Sequence, residues 1–175
     1  YDKNNTQLDL SSGINIDFGN VAKTDVKAAI ARLASLGINN NTQGKSVTLS
    51  IVENNKQMIG SYQLAITETG IKVTGVDGVG VFNGLQSISS LITLGSTQLP
   101  LLTASDEPHY EFRGLLIDVA RNFHSKDFIL TLLDQMAAYK LNKLHLHLGD
   151  DEGWRLEIPS LPELTEISSM RCFDL

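Results

Sequence analysis

Two apolar runs in the second half of the chain set the pattern from which its architecture is predicted. Residues 114–119 and 141–148 each have the length and composition of a buried β-strand. The segment between them, 125–140, repeats apolar side chains at helical spacing and begins at Ser125, whose hydroxyl can cap a helix. A strand, a helix and a second strand at this separation predict a βαβ unit with parallel strands.

Shorter alternating patterns predict further strands upstream. Residues 47–52 alternate as a half-buried strand does, and 62–76 read as a β-hairpin. Residues 1–20 suit a strand or a hairpin around Ser12-Gly13, and 99–102 form a short last strand. These segments predict a β-sheet that precedes the βαβ unit.

Two helices are predicted among these strands. The first has Thr24 as its capping residue, and the second covers about 79–94. The dipeptides Asp77-Gly78 and Asn83-Gly84 are typical of turns. The strands and the two helices together predict an α+β unit large enough to bury its own core.

The segment Ser105-Asp106-Glu107-Pro108 interrupts the pattern and is the predicted domain boundary. The chain then divides into an α+β domain over residues 1–108 and a second domain over 109–175, which begins with the βαβ unit.

Polar side chains follow both strands of the βαβ unit. They are Asp118, Arg121, Asn122 and His124 after the first strand, and Asp150, Asp151, Glu152 and Trp154 after the second. Because the carboxyl ends of parallel strands are where α/β folds build their sites, we expect any function to lie here.

Composition excludes several classes of function. Hydrophobic residues make up 42% of the chain and charged residues 19%, as in globular proteins. A net charge of −6 and the lack of a basic run argue against nucleic acid as a partner. No apolar stretch approaches the roughly 20 residues that a membrane-spanning helix needs. A single cysteine, Cys172, leaves the redox compartment undecided.

His145 and His147 have two interpretations. Their spacing places both side chains on one face of a strand, as in the metal sites of some barrel hydrolases. Alternatively, one histidine satisfies hydrogen bonds and the other packs at the strand end. No further histidine follows to complete a ligand set, so we expect no metal and no other cofactor.

The other candidates also have two interpretations each. Asp150, Asp151 and Glu152 suit acid–base chemistry, or are solvated loop residues. Trp154 beside them suits stacking on a sugar, or simply packs under the loop. The five donors of Arg121 suit two vicinal sugar hydroxyls, or an ion pair with one of the acids.

Longer motifs carry a family resemblance. The segments R-G-L-L-I-D-V-A-R-N-F-H (113–124) and Y-K-L-N-K-L-H-L-H-L-G-D-D-E-G-W-R (139–155) resemble the start of the catalytic barrel of family-20 glycoside hydrolases. These are the β-N-acetylhexosaminidases, including the bacterial chitobiases. The hairpin at 62–76 and V-F-N-G-L-Q-S-I-S-S-L (81–91) resemble the α+β domain that precedes that barrel.

The resemblance implies a fold, a mechanism and site residues. The fold is the α+β domain followed by the first βαβ unit of a (β/α)8 barrel. The mechanism is substrate-assisted retaining hydrolysis, in which the 2-acetamido oxygen of the substrate attacks the anomeric carbon. Arg121 resembles the arginine that binds the 3- and 4-hydroxyls of the terminal sugar, and Asp150 the carboxylate that supports it. Asp118, His147, Asp151 and Trp154 are possible further support.

The chain departs from the family pattern at the catalytic pair. The family's Asp-Glu pair lies on the fourth barrel strand, so Asp151-Glu152 after the second strand is not that pair. Residues 109–175 are far fewer than the about 250 of a complete barrel. We therefore expect a fragment without a general acid, inactive by itself. Its strands lack barrel neighbours, so we expect it to self-associate.

The resemblance implies further expectations, and two alternatives stay open. The parent enzyme would act on N-acetylglucosamine-containing, chitobiose-like oligosaccharides outside the cytoplasm. Cys172 would form a disulfide with a cysteine beyond residue 175. The first alternative is a carbohydrate-binding or interaction module that kept the fold without the chemistry. The second is a metal-dependent barrel hydrolase that uses His145 and His147.

Overall fold

The computed structural model describes residues 7–92, 95–151 and 153–170. The chain forms two compact units, Tyr1–Glu111 and Phe112–Leu175. The sequence pattern places the boundary at 108/109. The last strand of the first unit continues through Ser105 and Asp106, and the division falls after Glu111.

The first unit is built on a five-stranded mixed sheet. Its elements are β1 (Gln7–Asp9), β2 (Ile14–Asp17), α1 (Lys23–Ser35), β3 (Lys45–Ile51), β4 (Tyr62–Thr67), β5 (Gly70–Gly75), α2 (Gly78–Leu91), β6 (Gln98–Pro100) and β7 (Leu102–Asp106). The sheet order is β2-β3-β5-β4-β7. Strands β2, β3 and β5 are parallel, and β4 is antiparallel to both of its neighbours. The predicted hairpin over 62–76 is confirmed as β4–β5.

One face of this sheet forms the core of the first unit. Leu49 of β3, Leu64 of β4 and Val73 of β5 are buried, whereas alternate side chains such as Gln63 and Lys72 are exposed. Helix α2 packs against these three strands and against α1. The period of two in the sequence therefore corresponds to alternation of buried and exposed side chains along these strands.

Of the two alternatives predicted for residues 1–20, strands form but a hairpin does not. Strand β1 pairs with β6, and β2 pairs in parallel with β3. The turn at Gly13 does form, with φ +82° and its N–H 2.8 Å from the Leu10 carbonyl. A Cβ at Gly13 would lie 2.4 Å from the Asn39 carbonyl oxygen, so the turn is held against another loop. This packing directs β1 and β2 to different sheets.

Two dipeptides typical of turns belong instead to helix α2. Asp77 is the N-cap, and its Oδ1 accepts the backbone N–H of Gly80 at 2.7 Å. Asn83 and Gly84 lie inside the helix, where the Asn83 amide donates to the Gly60 carbonyl at 2.9 Å. A Cβ at Gly84 would lie 2.4 Å from a valine side chain of β5. Helix capping thus explains Asp77, and tertiary packing explains Asn83 and Gly84.

The predicted cap of α1 is also wrong. The helix begins at Lys23, its N-cap is Ala22, and no side chain caps it. Thr24 lies in the first turn, where its hydroxyl is 3.3 Å from Oδ1 of Asp25. Asp25 places negative charge at the positive end of the helix dipole, which suits a helix start without a cap.

The second unit contains the predicted βαβ motif. Its elements are β8 (Gly114–Asp118), α3 (Lys126–Ala138), β9 (Lys143–His147), β10 (Gly149–Asp150), β11 (Gly153–Trp154) and α4 (Glu163–Glu166). Strands β8 and β9 pair in parallel, as predicted. Ser125 caps α3 as predicted, because its Oγ accepts the Phe128 N–H at 3.2 Å. In the part of the chain that the structure describes, no helix is long and apolar enough to cross a membrane.

Candidate functional site

The parallel register of β8 and β9 brings the predicted polar residues to one end of the second unit. Asp118 is the last residue of β8 and lies opposite His147, the last residue of β9. The hairpin formed by β10 and β11 follows directly and carries Asp150. The structure thereby brings together residues that are about thirty positions apart in sequence.

Arg121 lies between two carboxylates at this end. Its Nη1 is 2.7 Å from Oδ2 of Asp118, and its Nη2 is 2.6 Å from Oδ2 of Asp150. The arginine side chain nevertheless remains 51% exposed. The acids therefore orient the guanidinium group from one side, while much of its surface faces solvent.

The loop after β8 is closed by Asp118. Oδ1 of Asp118 accepts the backbone N–H groups of Ala120, at 2.9 Å, and of Arg121, at 3.0 Å. Hydrogen bonds from the backbone and then the side chain of Arg121 hold the pKa of Asp118 below its ordinary value. The hydrogen bond to Asp118, together with the charge of Asp150, raises the pKa of Arg121.

Asp150 is the most strongly perturbed carboxylate of the site. Oδ2 of Asp150 is 2.7 Å from Nε2 of His147, and Oδ1 accepts the Asp151 N–H at 2.8 Å. Hydrogen bonds with the Asp151 side chain and backbone, and then with His147, hold the pKa of Asp150 well below its ordinary range. A general acid must carry a proton near the working pH, so Asp118 and Asp150 suit binding rather than proton donation.

Trp154 lies across the β10–β11 hairpin. A Cβ added at Gly149 would lie 2.8 Å from the indole ring, and the indole N–H donates to the Leu156 carbonyl. The Trp154 side chain is half-buried. These contacts match the packing interpretation of the residue, and its contact with a sugar stays a prediction.

The histidines give the metal hypothesis no support. Nε2 of His147 is hydrogen-bonded to Oδ2 of Asp150. Among the described residues, no group of three or more His, Cys, Asp or Glu side chains could hold a metal ion. His124 stacks on Phe128, with ring centroids 4.5 Å apart, and so belongs to the start of α3. Glu152 and Cys172 lie outside the described residues.

Arg155 is a residue of this end that the sequence did not single out. Its guanidinium group donates to the carbonyls of Val119 and Ala120, which lie between Asp118 and Arg121. The contacts join residues about 35 positions apart, so no local pattern predicts them. The sequence feature that could have pointed to Arg155 is its position at the end of the segment 139–155, which resembles the family-20 barrel.

Comparisons with known proteins find family matches over both units of the chain. Residues 2–107 match "Glycosyl hydrolase family 20, domain 2", and residues 110–175 match "Glycosyl hydrolase family 20, catalytic domain". A β-hexosaminidase of Vibrio vulnificus is 45% identical over 168 residues, which are 96% of this chain and 20% of the relative. An N,N'-diacetylchitobiase of Vibrio harveyi is 57% identical over 116 residues, which are 66% of this chain and 13% of that protein.

The fold is also similar to solved structures. An exo β-N-acetylglucosaminidase of family 20 from Vibrio harveyi, in complex with N-acetylglucosamine, matches with a TM-score of 0.77 and 30% identity. The match covers 93% of this chain and 26% of that one. The chain thus spans about a fifth or less of the length of the two curated relatives above.

Proposed function

The chain belongs to glycosyl hydrolase family 20, and we propose that it is part of a β-N-acetylhexosaminidase. The substrate class is terminal N-acetylhexosamine on chitobiose-like oligosaccharides. The names of the relatives, β-hexosaminidase and N,N'-diacetylchitobiase, support this substrate class. In this assignment, the chain supplies part of the sugar-binding site.

The geometry around Arg121 carries the proposal. A guanidinium group offers donors in a fixed fork, which suits two vicinal hydroxyls of a sugar ring. Asp118 and Asp150 fix the plane of that fork while leaving the side chain 51% exposed. We propose that Arg121 binds the 3- and 4-hydroxyls of the terminal sugar. His147 and Asp151 act through Asp150, which they hold in its charged form.

The chemistry that we propose is substrate-assisted. The acetamido oxygen of the substrate attacks the anomeric carbon, and the glycosidic bond to the leaving oxygen breaks as that oxygen accepts a proton. Water then opens the cyclic intermediate with retention of configuration. Neither Asp118 nor Asp150 suits the role of proton donor, because both have lowered pKa values. By the family resemblance, we assign the proton donor and the acetamido-orienting aspartate to the fourth barrel strand.

We also propose that β8, α3 and β9 are the first βαβ unit of a (β/α)8 barrel. Apolar side chains on the two strands support this assignment, because Leu116 of β8 is 56% exposed and Leu146 of β9 is 39% exposed. The strand register places these two side chains on opposite faces of the pair, and in a closed barrel one face is covered by the interior layers and the other by the surrounding helices. The 175-residue chain alone is then expected to be inactive and to self-associate.

The proposed location is outside the cytoplasm, where chitin-derived oligosaccharides are met. Under that assignment, Cys172 pairs with a cysteine from a later part of the protein. Thiol labelling of the folded parent protein tests the pairing, and a freely reactive Cys172 would exclude it.

The function is tested with the intact protein and two chromogenic substrates that differ only at C2. We expect release of the chromophore from the N-acetylglucosaminide and none from the matched glucoside, because the glucoside lacks the attacking acetamido group. Inhibition by a ring-fused thiazoline that mimics the cyclic intermediate is a second expected result. Equal hydrolysis of both substrates, or loss of activity with a chelator, would contradict the proposal.

A further inference from the structure

Arg155 directly follows β11 and donates hydrogen bonds to three backbone carbonyls. Its Nε is 3.0 Å from the Val119 oxygen, its Nη2 is 3.1 Å from the Ala120 oxygen, and its Nη1 is 2.5 Å from the Ser169 oxygen. Its guanidinium carbon also lies 5.5 Å from the centroid of the Phe123 ring. One side chain therefore holds the loop that follows β8 at several points.

The contacts of Arg155 complement those of Asp118. Asp118 accepts the N–H groups of Ala120 and Arg121, whereas Arg155 donates to the carbonyls of Val119 and Ala120. The segment between Asp118 and Arg121 is thus fixed through both its donors and its acceptors. Because the backbone of Arg121 is fixed, the origin of its long side chain is fixed as well.

The backbone of Arg155 belongs to the part of the unit that carries Asp150. Its N–H donates to the Leu148 carbonyl at 2.8 Å, and the preceding strand pairs Gly153 with Asp150. The side chain therefore joins the hairpin of Asp150 to the loop of Arg121. The 2.6 Å contact between Nη2 of Arg121 and Oδ2 of Asp150 links the same two segments.

Gly153 allows the two segments to approach. A Cβ at Gly153 would lie 2.7 Å from the Ala120 oxygen and 3.0 Å from Nη2 of Arg155. Any larger residue at this position would separate the hairpin from the loop. Gly153 thus offers a second way to disturb the same junction without replacing Arg155.

We propose that Arg155 is a positioning residue for sugar binding, which sets the distance between Arg121 and Asp150 by joining their backbones. The inference rests on the proposed function, because it concerns the arginine assigned there to the sugar hydroxyls. Arg155 itself does not contact the substrate. Its removal should weaken sugar binding and leave proton transfer, which occurs elsewhere in the barrel, largely unchanged.

The test uses the intact enzyme and a double-mutant cycle with Arg121. Arg155→Ala should raise KM for a chromogenic N-acetylglucosaminide by about 10- to 100-fold, with kcat changed less than about threefold. In an Arg121→Ala background the same substitution should change KM by less than about threefold, because the residue through which it acts is already lost. The KM of Arg155→Lys should lie between those of wild type and Arg155→Ala, since an ammonium group does not reproduce the fork of donors of a guanidinium group.

Arg113 provides the matched control. It is another arginine of the second unit, and its Nε donates to the Lys140 carbonyl at 2.8 Å, at the opposite end of β8. Arg113→Ala should lower stability without a selective rise in KM, and its effect should add to that of Arg121→Ala.

The outcomes separate this inference from the proposed function. If wild-type enzyme hydrolyses the substrate but the Arg155 and Arg121 effects are additive, the positioning role is wrong. If wild type has no N-acetylhexosaminidase activity, the proposed function itself fails. If Arg155→Ala does not fold, Gly153→Ala replaces it in the test. Gly153→Ala should then raise KM in the wild-type background but not in the Arg121→Ala background. An unchanged KM for Gly153→Ala in the wild-type background would overturn the inference.

Discussion

Replacing Arg121 with lysine in the intact enzyme tests whether the fork of the guanidinium group, rather than its charge, binds the substrate. In the structure two different nitrogens of Arg121 contact two different carboxylates, at 2.7 Å to Asp118 and 2.6 Å to Asp150. A single ammonium nitrogen keeps the charge but cannot hold both carboxylates and also present two parallel donors to a sugar.

The expected loss in kcat/KM is about 30- to 1,000-fold, which corresponds to two charge-assisted hydrogen bonds that no longer form in the transition state. Initial rates with a chromogenic N-acetylglucosaminide, measured at substrate concentrations below KM, give this ratio directly. Arg113→Lys, in the same unit but at the other end of β8, is the control and should stay within about threefold of wild type.

Near-normal kinetics for Arg121→Lys would refute the reasoning. Arg121 would then be a structural ion-pair residue, which is the alternative that its residue type left open. A loss of the same size in Arg113→Lys would instead show that unfolding, rather than substrate recognition, causes the effect.

Three further predictions follow from the second unit. The isolated chain should sediment as dimers or larger species at low micromolar concentration, because β8 and β9 form a sheet of only two strands in the described part of the chain. A monomer with both strands protected from hydrogen exchange would contradict this. Lys140 has φ +58°, a left-handed conformation that glycine adopts more easily than lysine. Lys140→Gly should therefore stabilise the intact protein by about 0.5–1 kcal/mol in a thermal unfolding assay. Lys126→Gly, at the start of α3, is the control and should destabilise the protein in the same assay. Asp150 has a lowered pKa in the folded state, so its contribution to stability is present above the unfolded-state value of about 3.8 and is lost as the pH falls below it. Asp150→Asn should flatten the acid side of a plot of unfolding midpoint against pH, and an unchanged acid side would exclude this role.

Local patterns predicted those features of the fold that local interactions determine. The βαβ motif, the hairpin β4–β5 and the cap at Ser125 each follow from spacing within a short segment. The sequence also predicted at which end of the βαβ motif the polar residues gather. That end is set by strand direction alone.

Features that depend on contacts between distant residues were predicted wrongly or were not predicted. Asn83-Gly84 is typical of a turn, yet it lies inside α2 because Gly60 and a β5 side chain pack against it. The partner of β1 is β6, about ninety positions away, and no pattern in residues 1–20 identifies it. Arg155 was overlooked for the same reason, since its contacts with Val119 and Ala120 exist only in the folded unit.

The most direct test of the account compares the intact protein with the isolated 175-residue chain in one assay. Both are purified and incubated at equal molar concentration with a chromogenic N-acetylglucosaminide, and release of the chromophore is followed. The account predicts hydrolysis by the intact protein and none above background by the chain, because proton transfer contributes about 10²–10⁴ in rate and the donor is proposed to lie on the fourth barrel strand, outside this chain. Turnover by the isolated chain that disappears in Glu152→Gln would contradict the account, because the catalytic acid would then lie within this chain.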